Sequence, residues 1–195
     1  MNLLAHAWLS FNQPDLLVGN MISDYVKGKS KADYPAEIQK GIMLHRAIDT
    51  FTDMHPCTIQ AKQFFRPQYR LYAGAFVDVV YDHFLANDFL EFNSALSLNE
   101  FAQSTYQVLQ LQQIWLPSPF SQMLPYMISQ NWLYHYRFKE GIQKGFGGLV
   151  RRAAYLQESE VAFAVFEKEY QHLQNCYTRF FPELKQFAKE WLQLN

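Results

Sequence analysis

At 195 residues the chain is long enough to bury a substantial core and reads as one domain over 1–195. Its 49% hydrophobic and 17% aromatic content, with only 8 Gly and 8 Pro, excludes a disordered or fibrous protein. A net charge of −1 supplies no global field that would favour nucleic acid or an anionic membrane.

The dominant period is helical. Residues 3–11 read as a first short helix, and 15–27 as a second that ends at Gly28. Pro35 opens a third, to about Met54, as proline at a first turn allows. Pro56 opens the next, to about Phe65, and a strong pattern covers 71–90 with Phe76, Val80 and Phe84 on one stripe and Leu85 and Phe89 on another. Asn99 can cap a helix to about Gln113. After the Pro117-Ser-Pro119 break, helices are expected over 120–146, 149–157 and 160–192, the last interrupted near Pro182. No strand pattern is convincing, so the expected fold is all-α, a compact multi-helix bundle.

Cys57 and Cys176 form no Cys-x-x-Cys pair, which argues against a disulfide scaffold and a thiolate zinc site. The apolar segment Met1 to Phe11 lacks a basic start and a cleavage site, and no run of 18 apolar residues exists. A soluble cytoplasmic protein with no membrane span is the expectation.

All eight aspartates lie between Asp15 and Asp88, together with His6, His45, His55 and His83. Asp is a poorer helix former than Glu, so Asp inside helical patterns suggests a use for the short carboxylate. His45, Asp49 and Asp53 are spaced four apart and continue the apolar stripe of Ile38 and Ile42. Such a face points inward, where an unpaired carboxylate is costly, so a metal or a cation is implied. Asp78 and Asp82 repeat the spacing; Asn20 and Asp24, and Asn2 and His6, do so on the first two helices. A mixed His/Asp pocket suits a hard or borderline ion such as Mn²⁺, Mg²⁺ or Fe²⁺ better than structural zinc. Taken singly, each pair has an ordinary reading: a helical hydrogen bond, a salt bridge to Arg46, a surface acid. His83 lies about 100° round the helix from Asp82, and His55, His135 and His172 fall outside the cluster. Asp15, Asp33 and Asp88 read as caps or surface acids. Walker, dinucleotide-binding and nucleophile-elbow motifs are absent, and Glu169-Tyr-Gln-His172 is an unaccompanied Glu-x-x-His.

The segments Asn2-Leu-Leu-Ala-His6, Gly19-Asn-Met-Ile-Ser-Asp24-Tyr-Val-Lys-Gly28, Gly41-Ile-Met-Leu-His45-Arg-Ala-Ile-Asp49-Thr-Phe-Thr-Asp53 and Asp78-Val-Val-Tyr-Asp82-His83-Phe-Leu-Ala86 resemble the acyl carrier protein phosphodiesterases. The resemblance runs from residue 1 to about Pro182. It implies an all-helical fold distantly similar to HD-domain phosphohydrolases, although this chain carries Asp82-His83 in place of a consecutive His-Asp pair. It further implies hydrolysis of the bond between 4′-phosphopantetheine and the carrier serine, with a divalent cation, typically Mn²⁺, and a catalytic role at Asp24. On that basis Asp24, His45 and Arg46 are candidate catalytic groups, Arg46 as a phosphate clamp. His6, Asp24, His45, Asp49, Asp78 and Asp82 are candidate metal ligands or orienters of ligands.

Holo acyl carrier protein, acidic and helical, would be the partner, so a basic docking face is expected. Lys27, Lys29 and Lys31 adjoin Asp24 and are favoured over the later group of Arg137, Lys139, Lys144, Arg151 and Arg152. Two other functions fit the same residues: a phosphohydrolase for a small nucleotide or phosphate ester, and a non-enzymatic helical module with Asp/His ion pairs.

Overall fold

A computed structural model describes the whole chain except residues 154, 155 and 157. Among the described residues there are eleven α-helices and no strand, as the helical period requires. They are α1 (Leu3–Trp8), α2 (Pro14–Ile22), α3 (Ala36–Met54), α4 (Pro56–Tyr69), α5 (Ala73–Ala86), α6 (Ala95–Leu111), α7 (Ser118–Ser129), α8 (Trp132–His135), α9 (Lys139–Arg152), α10 (Glu160–Lys168) and α11 (Tyr170–Leu194). No helix is long and apolar enough to cross a membrane. Both cysteines are free and buried.

Helix α5 is the axis of the bundle. Phe76, Val77, Val79, Val80, Tyr81, Phe84 and Leu85 are all buried, and α1, α4, α9 and α11 pack around them. Helices α2 and α3 form the tightest pair, because glycines meet at their crossing. A Cβ on Gly19 would lie 2.0 Å from the Ile38 carbonyl oxygen, and one on Gly41 would lie 2.3 Å from that of Leu16. This close approach brings the backbone of α2 against the side chains of α3.

Several boundaries differ from the sequence expectation. The first helix stops at Trp8, and Phe11 and Asn12 take positive φ. The second stops at Ile22; Ser23–Tyr25 and Gly28–Asp33 are 3₁₀ turns, so Asp24 stands on a turn and not on a helix. Helix α5 begins after Arg70 reverses the chain at φ 45 and ends before Phe89, which is 77% exposed and does not extend the stripe. Ser94, not Asn99, caps α6, through a reciprocal pair with Ser97. Asn99 instead accepts from Asn131 at 2.9 Å.

The expected 120–146 helix divides into α7, α8 and α9, with Asn131 left-handed at the first break. Asn tolerates that conformation better than most residues. The expected 149–157 segment is the end of α9 to Arg152; its remainder includes the residues outside the description. The final break falls at Glu169, and α11 runs unbroken through Pro182. Burial of Phe180, Phe181 and Leu184 on one face outweighs the hydrogen bond that proline removes.

Candidate active site

Four elements converge on one cluster. His6 comes from α1, Asn20 from α2, Asp24 from the turn after it, and His45 and Asp49 from α3. The two imidazole rings stack at 3.8 Å with 13° between planes.

Asn20, fully buried, orients both rings. Its side-chain amide donates to the His6 carbonyl at 2.8 Å and to Ser10 Oγ at 3.1 Å, which leaves its Oδ1 as the acceptor for His6 Nδ1–H at 2.8 Å. Its main-chain carbonyl accepts from His45 Nδ1–H at 2.7 Å. Both Nδ1 atoms are thereby committed as donors, and both Nε2 atoms turn to the carboxylates. His45 Nε2 lies 3.2 Å from Asp24 Oδ1 and 3.1 Å from Asp49 Oδ2. His6 Nε2 lies 3.2 Å from Asp49 Oδ1, yet it is buried and makes no hydrogen bond.

The cluster is electrostatically polarised. Burial, and then the neighbouring His45 charge, lower the His6 pKa to about 4. Burial also lowers His45, but its hydrogen bonds to Asp24 and Asp49 outweigh this and raise it to about 9. Asp24 is held below the usual carboxylate range by its hydrogen bond to His45. Burial pushes Asp49 up, and the nearby His45 and His6 rings and the Met1 amino group more than reverse that. The ligand-type atoms of His6, His45 and Asp49 lie within 4.8 Å of one another. With an unpartnered buried ring nitrogen among them, this donor set could hold a borderline divalent ion.

The remaining candidates have other partners. Asp82, fully buried, accepts from the Leu4 and Ala5 backbone N–H groups at 2.7 and 3.2 Å. It therefore satisfies the start of α1, the helix that carries His6. Burial raises its pKa to about 7, against the pull of those donors. Asp78 holds the Met1 amino group at 3.1 Å, and Asp49 holds the same amine at 3.3 Å. Arg46 is exposed and donates to the Val26 carbonyl at 3.0 Å; it lines a separate groove between α3 and α11. Asp53 pairs with Lys62 at 2.6 Å. Asn2 does not join His6; it reaches across to the Tyr136 hydroxyl at 3.0 Å. His83 binds the Tyr136 carbonyl and the Tyr170 hydroxyl. His55 caps α4, and His172 pairs with Glu169 on the surface.

The cluster sits at one wall of a pocket of about 500 Å³, within the range of small-molecule sites. His6, Asn20, Asp24 and His45 line that wall, with Tyr25 and Met123 at its side. Helix α9 lines the same pocket with Gly141, Gly145, Gly148, Lys144, Arg151 and Arg152. Three of the later basic group, Lys144, Arg151 and Arg152, thus share this pocket with the His/Asp cluster, whereas Arg137 donates to the Tyr134 hydroxyl at 2.8 Å and Lys139 pairs with Glu167 at 3.1 Å. Trp132, His135 and Tyr136 also line the pocket. Lys27 and Lys29 are exposed, and Lys31 half-exposed, on the stretch that follows Asp24.

Fold and site together describe an all-helical protein with a buried histidine–carboxylate cluster against a half-open pocket. The family model for acyl carrier protein phosphodiesterase matches residues 1–184. A curated acyl carrier protein phosphodiesterase of Klebsiella pneumoniae subsp. pneumoniae is 35% identical over 191 residues, 97% of this chain and 98% of that relative. Those of Yersinia pestis and Escherichia coli O45:K1 are 31% and 30% identical over 189 and 190 residues, spanning 96–97% of this chain and 97–98% of theirs. The chain belongs to the acyl carrier protein phosphodiesterase family. No solved structure matches it.

Proposed function

We propose that this protein hydrolyses the phosphodiester joining 4′-phosphopantetheine to the serine of holo acyl carrier protein. The observation that carries the reading is the cluster of His6, His45, Asp49 and Asp24, three of which, His6, His45 and Asp24, line a pocket, in a chain of this family. His6, His45 and Asp49 would hold a divalent ion, Mn²⁺ first among the candidates, with Asp24 beside it. When bound, such an ion would lower the pKa of a water and offset phosphoryl charge.

The chain's own groups do the rest. Asn20 fixes both imidazoles in one tautomer, and Asp82 anchors the helix that carries His6. Asp24 is the exposed carboxylate of the cluster and stays ionised beside His45. It is placed to accept a hydrogen bond from the attacking water and orient it. The water oxygen forms the new bond to phosphorus and gives up a proton through Asp24 to solvent, the bond from phosphorus to the serine oxygen breaks, and that oxygen takes a proton back from solvent. The products are apo carrier protein and 4′-phosphopantetheine.

The test is to incubate the purified protein with holo carrier protein and Mn²⁺ and follow the carrier by mass. Loss of the phosphopantetheine mass is expected, and Asp24→Ala should slow it by about 10²-fold or more. An unchanged carrier mass with cleavage of a small chromogenic diester would replace this reading with a small-substrate phosphohydrolase. If Mn²⁺ neither binds nor raises the Tm, the cluster is structural, because an ion bound only by the folded state must stabilise it.

A further inference from the structure

Helix α9 carries glycines at 141, 145 and 148, spaced so that they share one face toward the pocket. Packing explains the first two. A Cβ on Gly141 would lie 2.0 Å from the His135 carbonyl oxygen, and one on Gly145 would lie 3.0 Å from Val79 Cγ1. Packing does not explain the third. A Cβ on Gly148 would meet only Arg152 Nη1 at 3.6 Å and Arg151 Nη2 at 3.9 Å. Glycine in a helix interior is unfavourable, so the bare surface there calls for another reason.

What the bare surface admits is a pair of guanidinium groups converging over one helical turn. Two like charges so placed repel unless an anion lies between them. Both line the pocket, with Lys144 from the same helix. Asp24 and Tyr25 line the same pocket as these cations, so the cations and the acidic wall share one space. His6, whose buried Nε2 makes no hydrogen bond, lines the same cavity.

We propose that Arg151, Arg152 and Lys144 form the subsite that grips the phosphoryl oxygens of the substrate, the role that the position of Arg46 leaves open. Guanidinium forks suit a tetrahedral oxyanion, which offers paired oxygens to each. A diester carries one negative charge and the monoester product nearly two, so the cations favour the charge that develops as the bond breaks. The assignment rests on the phosphodiesterase reading, but its binding measurement does not.

Titrate inorganic phosphate into the purified full chain, the Arg152→Gln variant and the Arg152→Lys variant, and measure turnover of holo carrier protein and of bis(p-nitrophenyl) phosphate. Arg152 is exposed, so the variants should melt with the parent. Arg152→Gln should weaken phosphate binding about tenfold and lower kcat/KM for both substrates by at least as much. Arg152→Lys should recover only part of this, because the charge returns without the fork. Lys168→Gln, at the end of α10, is the control and should change nothing.

Loss confined to the carrier protein, with phosphate affinity and the small diester spared, would make these cations a docking face and overturn the proposal. No change in any measurement would make them a solvated surface and overturn it equally. If the parent cleaves no carrier protein yet phosphate affinity still falls in the variant, the subsite stands and the substrate assignment falls.

Discussion

His45 is the residue on which the cluster turns. Its Nε2 stands between Asp24 and Asp49, and their pull holds a proton on the ring up to about pH 9, above the ordinary value of 6.5. A group raised in this way adds stability that is fully present below its ordinary pKa of 6.5 and is lost as pH rises through about 9. A metal ion needs the neutral imidazole, so it must displace that proton. His6, lowered to about 4, holds none at neutral pH and does not compete. Mn²⁺ affinity should therefore rise about tenfold per pH unit between pH 6 and 8, with close to one proton released per ion. Calorimetric titration in buffers of different ionisation enthalpy reads both quantities. A pH-independent affinity would show that His45 is not a ligand.

At the scale of elements, the cluster depends on how closely α2 and α3 approach. The Asn20 carbonyl reaches His45 because Gly41 lies against the α2 backbone, where a Cβ would be 2.3 Å from the Leu16 carbonyl oxygen and 2.9 Å from Gly19 Cα. Backbone atoms cannot rotate away as a side-chain tip can, so Gly41→Ala must force the helices apart. The overpacking cost, typically about 1–3 kcal/mol, exceeds the gain in helix propensity of about 1 kcal/mol. The Tm should fall by several degrees, roughly 2–4 °C per net kcal/mol for a chain of this size. Activity should fall further than stability does, since the His45 acceptor moves. Gly147→Ala is the contrast: its Cβ would meet only Arg151 Nη1 at 3.5 Å and Ser159 Oγ at 3.9 Å, so its Tm should hold or rise. Equal Tm values for the two variants would refute the crossing argument.

The elements also show what was legible in the chain. One-turn spacing identified His45 and Asp49 as a pair, and they are one, because both positions lie within the 19 residues of α3. The same rule failed for Asn20 and Asp24, since α2 ends between them and the turn sends Asp24 to His45. For Asp78 and Asp82 it gave the shared face, but spacing reports a face and not the neighbour across it. The neighbours are a terminal amine and the first turn of α1, and Asp82 spends both oxygens there. Pro182 misled for a related reason: local breaking tendency is overruled where buried side chains, Phe180 and Phe181 before it and Leu184 and Ala188 after it, hold the helix on both sides.

At the scale of the whole molecule, the structure sorts the basic residues by whether they line the pocket. Lys144, Arg151 and Arg152, more than 100 residues from Asp24 in sequence, line the pocket that Asp24 lines. Chain distance hid this, because it gave weight to the lysines adjoining Asp24. Those lysines lie outside the pocket lining, Lys27 just before the turn from Gly28 to Asp33 and Lys29 and Lys31 on it, with Lys27 and Lys29 exposed. Their position suits long-range attraction of an acidic partner and not contact with a phosphate. Reversing Lys27, Lys29 and Lys31 to Glu should therefore raise KM for holo carrier protein roughly tenfold at low salt and leave kcat nearly unchanged. The gap should close near 1 M salt, where the Debye length is about 3 Å. Turnover of a small diester should stay at the parental level, since nothing in that substrate needs steering. A triple variant that lost small-diester activity would mean that these lysines shape the pocket after all. One with parental KM at low salt would mean that the carrier approaches over a different face, with α9 the next to test.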